Sequence, residues 1–335
     1  MSELNNIALK ILANGKGILA ADESNGTMTK RLETVKINSN PDNRLKFREA
    51  LFTSEAMKNC IGGVILFDET INQISSENIT IPEIILNSGA VPGIKVDTGA
   101  KPLANSPNET ITEGLDGLRE RLKNYYKLGA RFTKWRGVYT ISKNYPSKLS
   151  IHSNAHALAR YSALAQESGM VPIVEPEILM NGNHSEDDCY NKTSEVIKKC
   201  FEELILHKVD LKGIILKPNM ILAGNKCKNK ITNEEVAKLT LKCLKASVPS
   251  EVPGIAFLSG GQSEIEATEN LNLINKYNDT NFIMSYSYGR ALQQSALKLW
   301  SQDTKNVEGT QKIFNQRAKM NSLAAQGKWS KELEN

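Results

Sequence analysis

Cysteine is scarce in this chain: there are five in 335 residues, Cys60, Cys189, Cys200, Cys227 and Cys243. They are odd in number, widely spaced and without a C-x-x-C pair, which excludes a disulfide framework and a zinc or dithiol motif and reads as free thiols in a reducing compartment. Long apolar runs are missing too. None approaches the ~18 residues needed to cross a bilayer, and the opening MSELNNIALKILANG lacks the basic start and continuous apolar stretch of a signal peptide. A cytoplasmic protein with no membrane partner is expected. Charge of one sign is not concentrated anywhere: 42 Lys+Arg against 37 Asp+Glu leaves +5, scattered along the chain, which favours small anionic ligands slightly and no nucleic acid. The glycine fingerprint G-x-G-x-x-G, the serine elbow G-x-S-x-G and the zinc helix H-E-x-x-H are all absent, which argues against a dinucleotide fold, a serine hydrolase and a zinc protease. His152, His156, His184 and His207 do not compose a ligand set. The first two are four apart on an expected helix, but no third ligand is in register, so structural roles and no metal are expected.

What is present is a regular alternation. Short apolar runs ended by turn residues occur at KGILAAD (16–22), IGGVILFD (61–68), VPGIKVD (91–97), RFTKWRGV (131–138), VPIVEPEI (171–178), GIILKPN (213–219), GIAFLSGG (254–261) and FIMSYSYG (282–289). Runs apolar on both faces suit parallel strands covered by helices. Between them lie helices with readable ends: the Thr232/Glu235 and Ser263/Glu266 capping boxes, a Leu115, Leu118, Leu122, Tyr126 stripe stopped by Gly129, and an Ala-rich helix over 150–168 closed by Gly169. Eight βα units over this length predict one α/β domain over 1–335, a (β/α)8 barrel with an extra N-terminal helix over 1–15, closing helices over 290–326 and a loose tail over 327–335.

In such a barrel the chemistry sits at the C-terminal ends of the strands. The charges there are Asp22, Lys95, Asp97, Lys134, Arg136, Glu175, Glu177 and Lys217, four of each sign, several paired i, i+2 so that both members face the barrel mouth. One such pair alone reads as solvated strand-end charge; eight residues of balanced sign on five strands read as a neutral, hydrogen-bonded cluster. Without a nucleotide or metal motif, lysine is the remaining covalent nucleophile. An amine attacks a carbonyl only when neutral, and at its ordinary pKa of about 10.4 roughly one molecule in two thousand is neutral at pH 7. A neighbouring cation and burial are expected to lower that value, and carboxylates to carry the protons of imine formation. Lys95, Lys134 and Lys217 remain rivals on spacing alone. Around them lie candidate phosphate loops: Ser24, Asn25, Gly26 and Thr27 after the first strand, Ser259, Gly260 and Gly261 after the seventh, Gly289 and Arg290 after the eighth. Two cradles on opposite sides suit a substrate phosphorylated at both ends.

The stretches GKGILAADES (15–24), GGVILFDET (62–70), KWR (134–136), VPIVEPEI (171–178), LKPNM (216–220), FLSGGQS (257–263) and SYGRAL (287–292), in this order and spacing, closely resemble the class I (Schiff-base) fructose-bisphosphate aldolases over nearly the whole chain. The resemblance implies a metal-free lyase that reversibly cleaves fructose 1,6-bisphosphate to dihydroxyacetone phosphate and glyceraldehyde 3-phosphate, with no cofactor. It implies Lys217 as the Schiff-base lysine, Glu175 as general acid/base with Glu177 beside it, Lys134 in proton transfer and Asp22 orienting Lys217 and the substrate. Ser259, Gly260, Gly261, Ser287, Gly289 and Arg290 are implied to hold the ketose-side phosphate, and Ser24, Thr27, Arg31 and Lys95 the other, with Arg44 and Arg136 as weaker carry-overs. A homotetramer and a cytoskeletal side role are implied likewise. The alternatives are a scaffold of the same fold and a transaldolase-like enzyme on other sugar phosphates. The family commonly ends in a longer tail closing with a tyrosine, whereas six residues follow Trp329 here; the expectation is a weaker preference for the bisphosphate over fructose 1-phosphate.

Overall fold

The computed structural model describes residues 2–334. Eight parallel strands close into a barrel in the order β1-β10-β9-β8-β7-β6-β3-β2: β1 (Gly17–Ala21), β2 (Ile61–Leu66), β3 (Val91–Lys95), β6 (Phe132–Thr140), β7 (Val171–Leu179), β8 (Ile215–Leu216), β9 (Gly254–Phe257) and β10 (Ile283–Tyr288). All eight expected strands are there. The remaining two, β4 (Gly99–Pro102) and β5 (Thr110–Glu113), form an antiparallel hairpin in the loop after β3 that the sequence pattern did not announce. Helices α1 (Glu3–Leu12), α2 (Asn25–Thr34), α3 (Pro41–Phe52), α4 (Ala56–Asn59), α5 (Asp68–Ile71), α6 (Ile81–Asn87) and α7 (Leu118–Lys127) serve the first half. The second half carries α8 (Lys148–Glu167), α9 (Glu186–Leu206), α10 (Asn233–Ser247), α11 (Glu264–Tyr277), α12 (Arg290–Trp300) and α13 (Val307–Ala324). Both expected capping boxes form, and Ser185 with Asp188 makes a third at the start of α9. No helix among the described residues is long and apolar enough to cross a membrane.

Two apolar clusters explain how the site is positioned. The larger fills the space between the outer strand faces and the helices. The smaller is the inside of the barrel: Ile18, Ala20, Ile65, Val91, Phe132, Val171, Ile173, Ile215 and Ala256, plugged from below by Ala8, Ile11 and Leu12 of α1. A Cβ at Gly93 would overlap the Phe132 ring, so glycine there lets the ring fill the barrel. Because strand side chains alternate, stepping two residues from each interior apolar position reaches the next inward one. From Ala20 that step gives Asp22, from Gly93 Lys95, from Phe132 Lys134 and then Arg136, from Ile173 Glu175 and then Glu177, and from Ile215 Lys217. The same parity that builds the apolar floor therefore aims the charges into the mouth above it.

Two expectations are corrected. The sixth strand was read as 213–219, but its ladder ends at Leu216, because Pro218 has no N–H to donate. Backbone pinning continues by other means: Lys217 N–H donates to the Val174 carbonyl at 2.8 Å, and Asn219 Oδ1 accepts from Ile178 N–H at 2.9 Å. The chain end is not loose up to Glu334. Trp329 is buried, its indole N–H donates to Glu334 Oε1 at 2.8 Å, and Arg317 grips both carboxylate oxygens of Glu334 at 2.7 Å.

Candidate active site

Asp22, Lys134, Glu175, Glu177 and Lys217 are all buried at the barrel mouth. Lys134 Nζ lies 2.9 Å from Asp22 Oδ2 and 3.1 Å from Glu175 Oε2, while Lys217 Nζ lies 3.1 Å from the other oxygen of Glu175. One carboxylate thus bridges two ammonium groups, and one of those groups is shared with a second carboxylate. Strand register brings this about: Lys95 pairs with Lys134 across β3 and β6, and Arg136 with Glu175 across β6 and β7. Outside this chain, Arg136 Nε contacts Glu177 Oε2 at 2.5 Å and Lys95 Nζ contacts Asp97 Oδ1 at 2.5 Å. Asp97 lies beyond β3 and also accepts from the backbone N–H groups of Gly99 and Arg136, at 3.1 and 3.3 Å. The four positive and four negative strand-end charges are therefore matched pair by pair.

Burial alone would raise the Asp22 carboxyl, but the Lys134 and Lys217 charges outweigh it and hold its pKa at about 2. Burial also opposes ionisation of Glu175, and the cations Lys134, Lys217 and Arg136 bring it below the usual carboxylate range. Burial would neutralise Lys134, yet Asp22 and Glu175 drive its pKa upward. In the resting site both carboxylates are ionised and Lys134 is locked as a cation. A measurable consequence follows from linkage. The unfolded aspartate titrates near 3.9 and the folded one lower, so its stabilisation is complete above about pH 4 and is lost as pH falls through about 2, a term of roughly 2 kcal/mol. The thermal midpoint should drop over that interval, and Asp22→Asn should flatten the drop; an equally steep curve in the variant would contradict the ion-pair assignment.

The expected phosphate loops are arranged around this centre. Gly260 follows β9 so closely against the site that a Cβ there would stand 3.2 Å from Glu177 Oε1. Gly261 has φ +79°, the left-handed conformation that glycine takes without strain. A buried hydroxyl, Ser287 Oγ on β10, has no hydrogen-bond partner among the described residues, which leaves it available to a ligand. Gly289 precedes α12, with Arg290 as that helix's exposed first residue; Gln293 ties the helix to β1 by donating to the Ala20 carbonyl at 2.7 Å. On the other side Ser24 caps α2, its Oγ 3.1 Å from Thr27 Oγ1.

Two more of the expected phosphate ligands are, like Lys95, paired with carboxylates. Arg44 is buried and clasped by both oxygens of Glu69, at 2.6 and 2.8 Å, so it braces α3 against α5. Arg31 pairs with Glu23 and reaches Gln293 Oε1 at 3.4 Å. Sequence reasoning missed the groups that hold these arginines, Glu23 and Glu69, and also Arg48, a fully buried cation that donates to Thr70 Oγ1 and the Glu23 carbonyl. Its place four residues after Arg44, on the same helical face, was the available signal. Asn219, whose amide donates to Thr193 Oγ1 at 3.1 Å and steadies the turn after Lys217, was also missed. The histidines are expected to be structural and not a ligand set, and their placement is not the scattered one that their spacing suggests. Instead, His152, His156 and His207 gather around Glu203 on the outer helical layer, because α8 and α9 pack side by side.

A family model described as fructose-bisphosphate aldolase class-I matches residues 3–335. A probable fructose-bisphosphate aldolase class 1 from Xylella fastidiosa is 48% identical over 330 residues, covering 98% of this chain and 99% of that protein. Fructose-bisphosphate aldolase C of Carassius auratus is 49% identical over 98% of this chain and 91% of its own. Among solved structures, the fructose-bisphosphate aldolase of Plasmodium falciparum, crystallised in complex with TRAP and a small molecule inhibitor, superposes with a TM-score of 0.96 at 44% identity, covering 98% of this chain and 95% of that one.

Proposed function

The chain belongs to the class I fructose-bisphosphate aldolases, and from that membership we propose that it cleaves fructose 1,6-bisphosphate through an imine on Lys217. The single observation that carries the residue assignment is the bridging position of Glu175, 3.1 Å from both Lys217 and Lys134.

The ionised Glu175 accepts the proton that Lys217 gives up to become nucleophilic, and the amine adds to the ketose carbonyl at C2. Formation of the neutral carbinolamine removes Lys217 from the cations that hold Glu175 in its low range. The carboxyl then returns its proton to the carbinolamine hydroxyl, water departs, and a protonated imine remains. Lys134, fixed as a cation by Asp22 and Glu175, keeps the site's charge while this happens. Asp22 takes the hydroxyl proton on C4 as the C3–C4 bond breaks, and the bonding pair moves into the imine to give a neutral enamine instead of a carbanion. The aldehyde leaves, C3 takes up a proton equivalent to the one Asp22 accepted, so that Asp22 is ionised again, and water hydrolyses the imine to release dihydroxyacetone phosphate and the Lys217 amine. Electron withdrawal is supplied by the iminium, so no cofactor takes part in this scheme. Glu177 and its partner Arg136 flank the same network.

Binding at both ends orients the ketose. Ser259, Gly260, Gly261, Ser287, Gly289 and Arg290 hold one phosphate, where the backbone N–H groups at the start of α12 face an anion. Ser24, Thr27 and Lys95 hold the other. The homotetramer, the cytoplasmic location and a cytoskeletal partner are supported by the family resemblance.

Incubation with dihydroxyacetone phosphate followed by borohydride reduction and peptide mass mapping should give a single adduct, on the Lys217 peptide, at the same yield with and without EDTA. An adduct on Lys95 or Lys134, or none, overturns the scheme.

A further inference from the structure

The geometry points to a transition-metal site of the zinc class between α8 and α9, made by His156, Glu203 and His207 with His152 at its edge, separate from the catalytic mouth. Three of the chain's four histidines converge here. Two i, i+4 pairs supply the site, His152 with His156 from α8 and Glu203 of α9 with His207, the residue that caps the C-terminus of that helix, so the members of each pair lie on one face. One ligand atom from each of His156, Glu203 and His207 lies within 4.8 Å of the others. Glu203 Oε2 is 3.2 Å from His156 Nδ1, and Oε1 is 3.3 Å from His152 Nδ1. A tetrahedral ion with bonds of about 2.0–2.1 Å keeps its ligand atoms about 3.3 Å apart; the His156 and His152 separations match that spacing, while the His207 ring, whose Nδ1 is 4.0 Å from Glu203 Oε2, has to draw closer for an ion to be held.

The supporting shell fits as well. His207 Nδ1 lies 2.8 Å from the backbone carbonyl of Glu203. A carbonyl only accepts, so Nδ1 carries the proton and Nε2 the lone pair, the arrangement in which a backbone carbonyl orients a metal-binding imidazole. The carboxylate is buried, while the side chains of His152 and His156 are 59% and 44% exposed, so an ion has a fixed anionic base and an open approach. Two or three imidazoles and one carboxylate are a donor set that suits Zn²⁺ over Mg²⁺ or Ca²⁺.

The competing role of the cluster is neutralisation of a buried carboxylate. Lys199 already serves that purpose, with Nζ 3.2 Å from Glu203 Oε1, and three imidazoles are more than one negative charge requires. Lys199 is instead the cation that a metal has to displace or tolerate.

The test titrates ZnCl₂ into the EDTA-stripped, desalted full-length enzyme by calorimetry, with Co²⁺ as a spectroscopic probe. One ion per chain and the visible bands of four-coordinate Co²⁺ with nitrogen and oxygen donors are expected. His156→Gln/His207→Gln should weaken Zn²⁺ binding by about 10-fold or more, His184→Gln should leave it unchanged, and Lys199→Met should tighten it. Turnover and imine trapping should not respond to Zn²⁺ or to these substitutions, which keeps this test independent of the catalytic scheme. No binding heat, unaltered affinity in the double variant, or Co²⁺ bands from a thiolate such as Cys227 would each overturn the site.

Discussion

Replacing Lys217 with methionine is expected to reduce turnover by a factor on the order of 10⁴ or more and to abolish borohydride-trapped adducts, while leaving the barrel folded. The size of the effect follows from the absence of a substitute nucleophile. Lys134 is engaged by two carboxylates and held protonated by them. Lys95 spends its ammonium on the Asp97 side chain and on the Asp97 carbonyl at 2.7 Å. Lys217 has one carboxylate partner among the described residues, and it shares that partner with Lys134. The same sharing predicts the stability of the variant. Glu175 keeps Lys134 at 3.1 Å, and methionine fills the volume of the buried lysine stem, so the folded state should lose about 1 kcal/mol, well short of the ~3–5 kcal/mol that follows when a buried charge is left unpaired. A coupled dehydrogenase assay and a denaturant titration check the two halves separately. Residual turnover above about one per cent would mean that another amine can form the imine.

The competition among three lysines shows where sequence reasoning reaches its limit. Strand parity was legible: apolar runs ending in charge at i, i+2 gave both the eight strands and the inward direction of Asp22, Lys134, Glu175 and Lys217. Which cation pairs with which carboxylate was not legible, because Lys134 and Asp22 are 112 residues apart and only the closure of the barrel brings them together. The 99–113 hairpin escaped for a different reason. Its residues are mostly polar and its first strand largely exposed, so neither a period of two nor an apolar run marks it. Arg44 enters the sequence reading only as a weaker carry-over of the resemblance, and only the packing of α3 against α5 shows that Glu69 holds it. The same logic covers the chain end, where the charged string KWSKELEN reads as solvated until Arg317, many residues earlier, is seen to clasp Glu334. The histidines extend the point. Each i, i+4 pair is visible along its own helix, but the site exists only where the two helices meet.

Lys134→Met should be the most destabilising substitution in the site, costing about 3–5 kcal/mol, a large share of the ~5–15 kcal/mol available to a native domain. Lys134 is buried and is the hydrogen-bonded partner of Asp22 at 2.9 Å; its loss leaves that carboxylate buried without a direct cation and leaves Glu175 with Lys217 alone. Burial then works on both acids with less opposition, so their pKa values rise. A depressed carboxyl stabilises the fold above its unfolded pKa and loses that contribution as pH falls through the folded value. With the folded values raised, the acid loss of stability in the variant must therefore begin at higher pH than in the parent. Catalysis should fall by about 10²- to 10³-fold, because Glu175 no longer starts as a reliably ionised acceptor for the Lys217 proton. Adding Asp22→Asn in the same chain removes the stranded charge and should recover part of the stability without recovering the activity, a separation that chemical denaturation and steady-state kinetics on the single and double variants resolve. If the double variant is no more stable than Lys134→Met alone, the cost lies in packing of the lysine stem and not in the unpaired carboxylate.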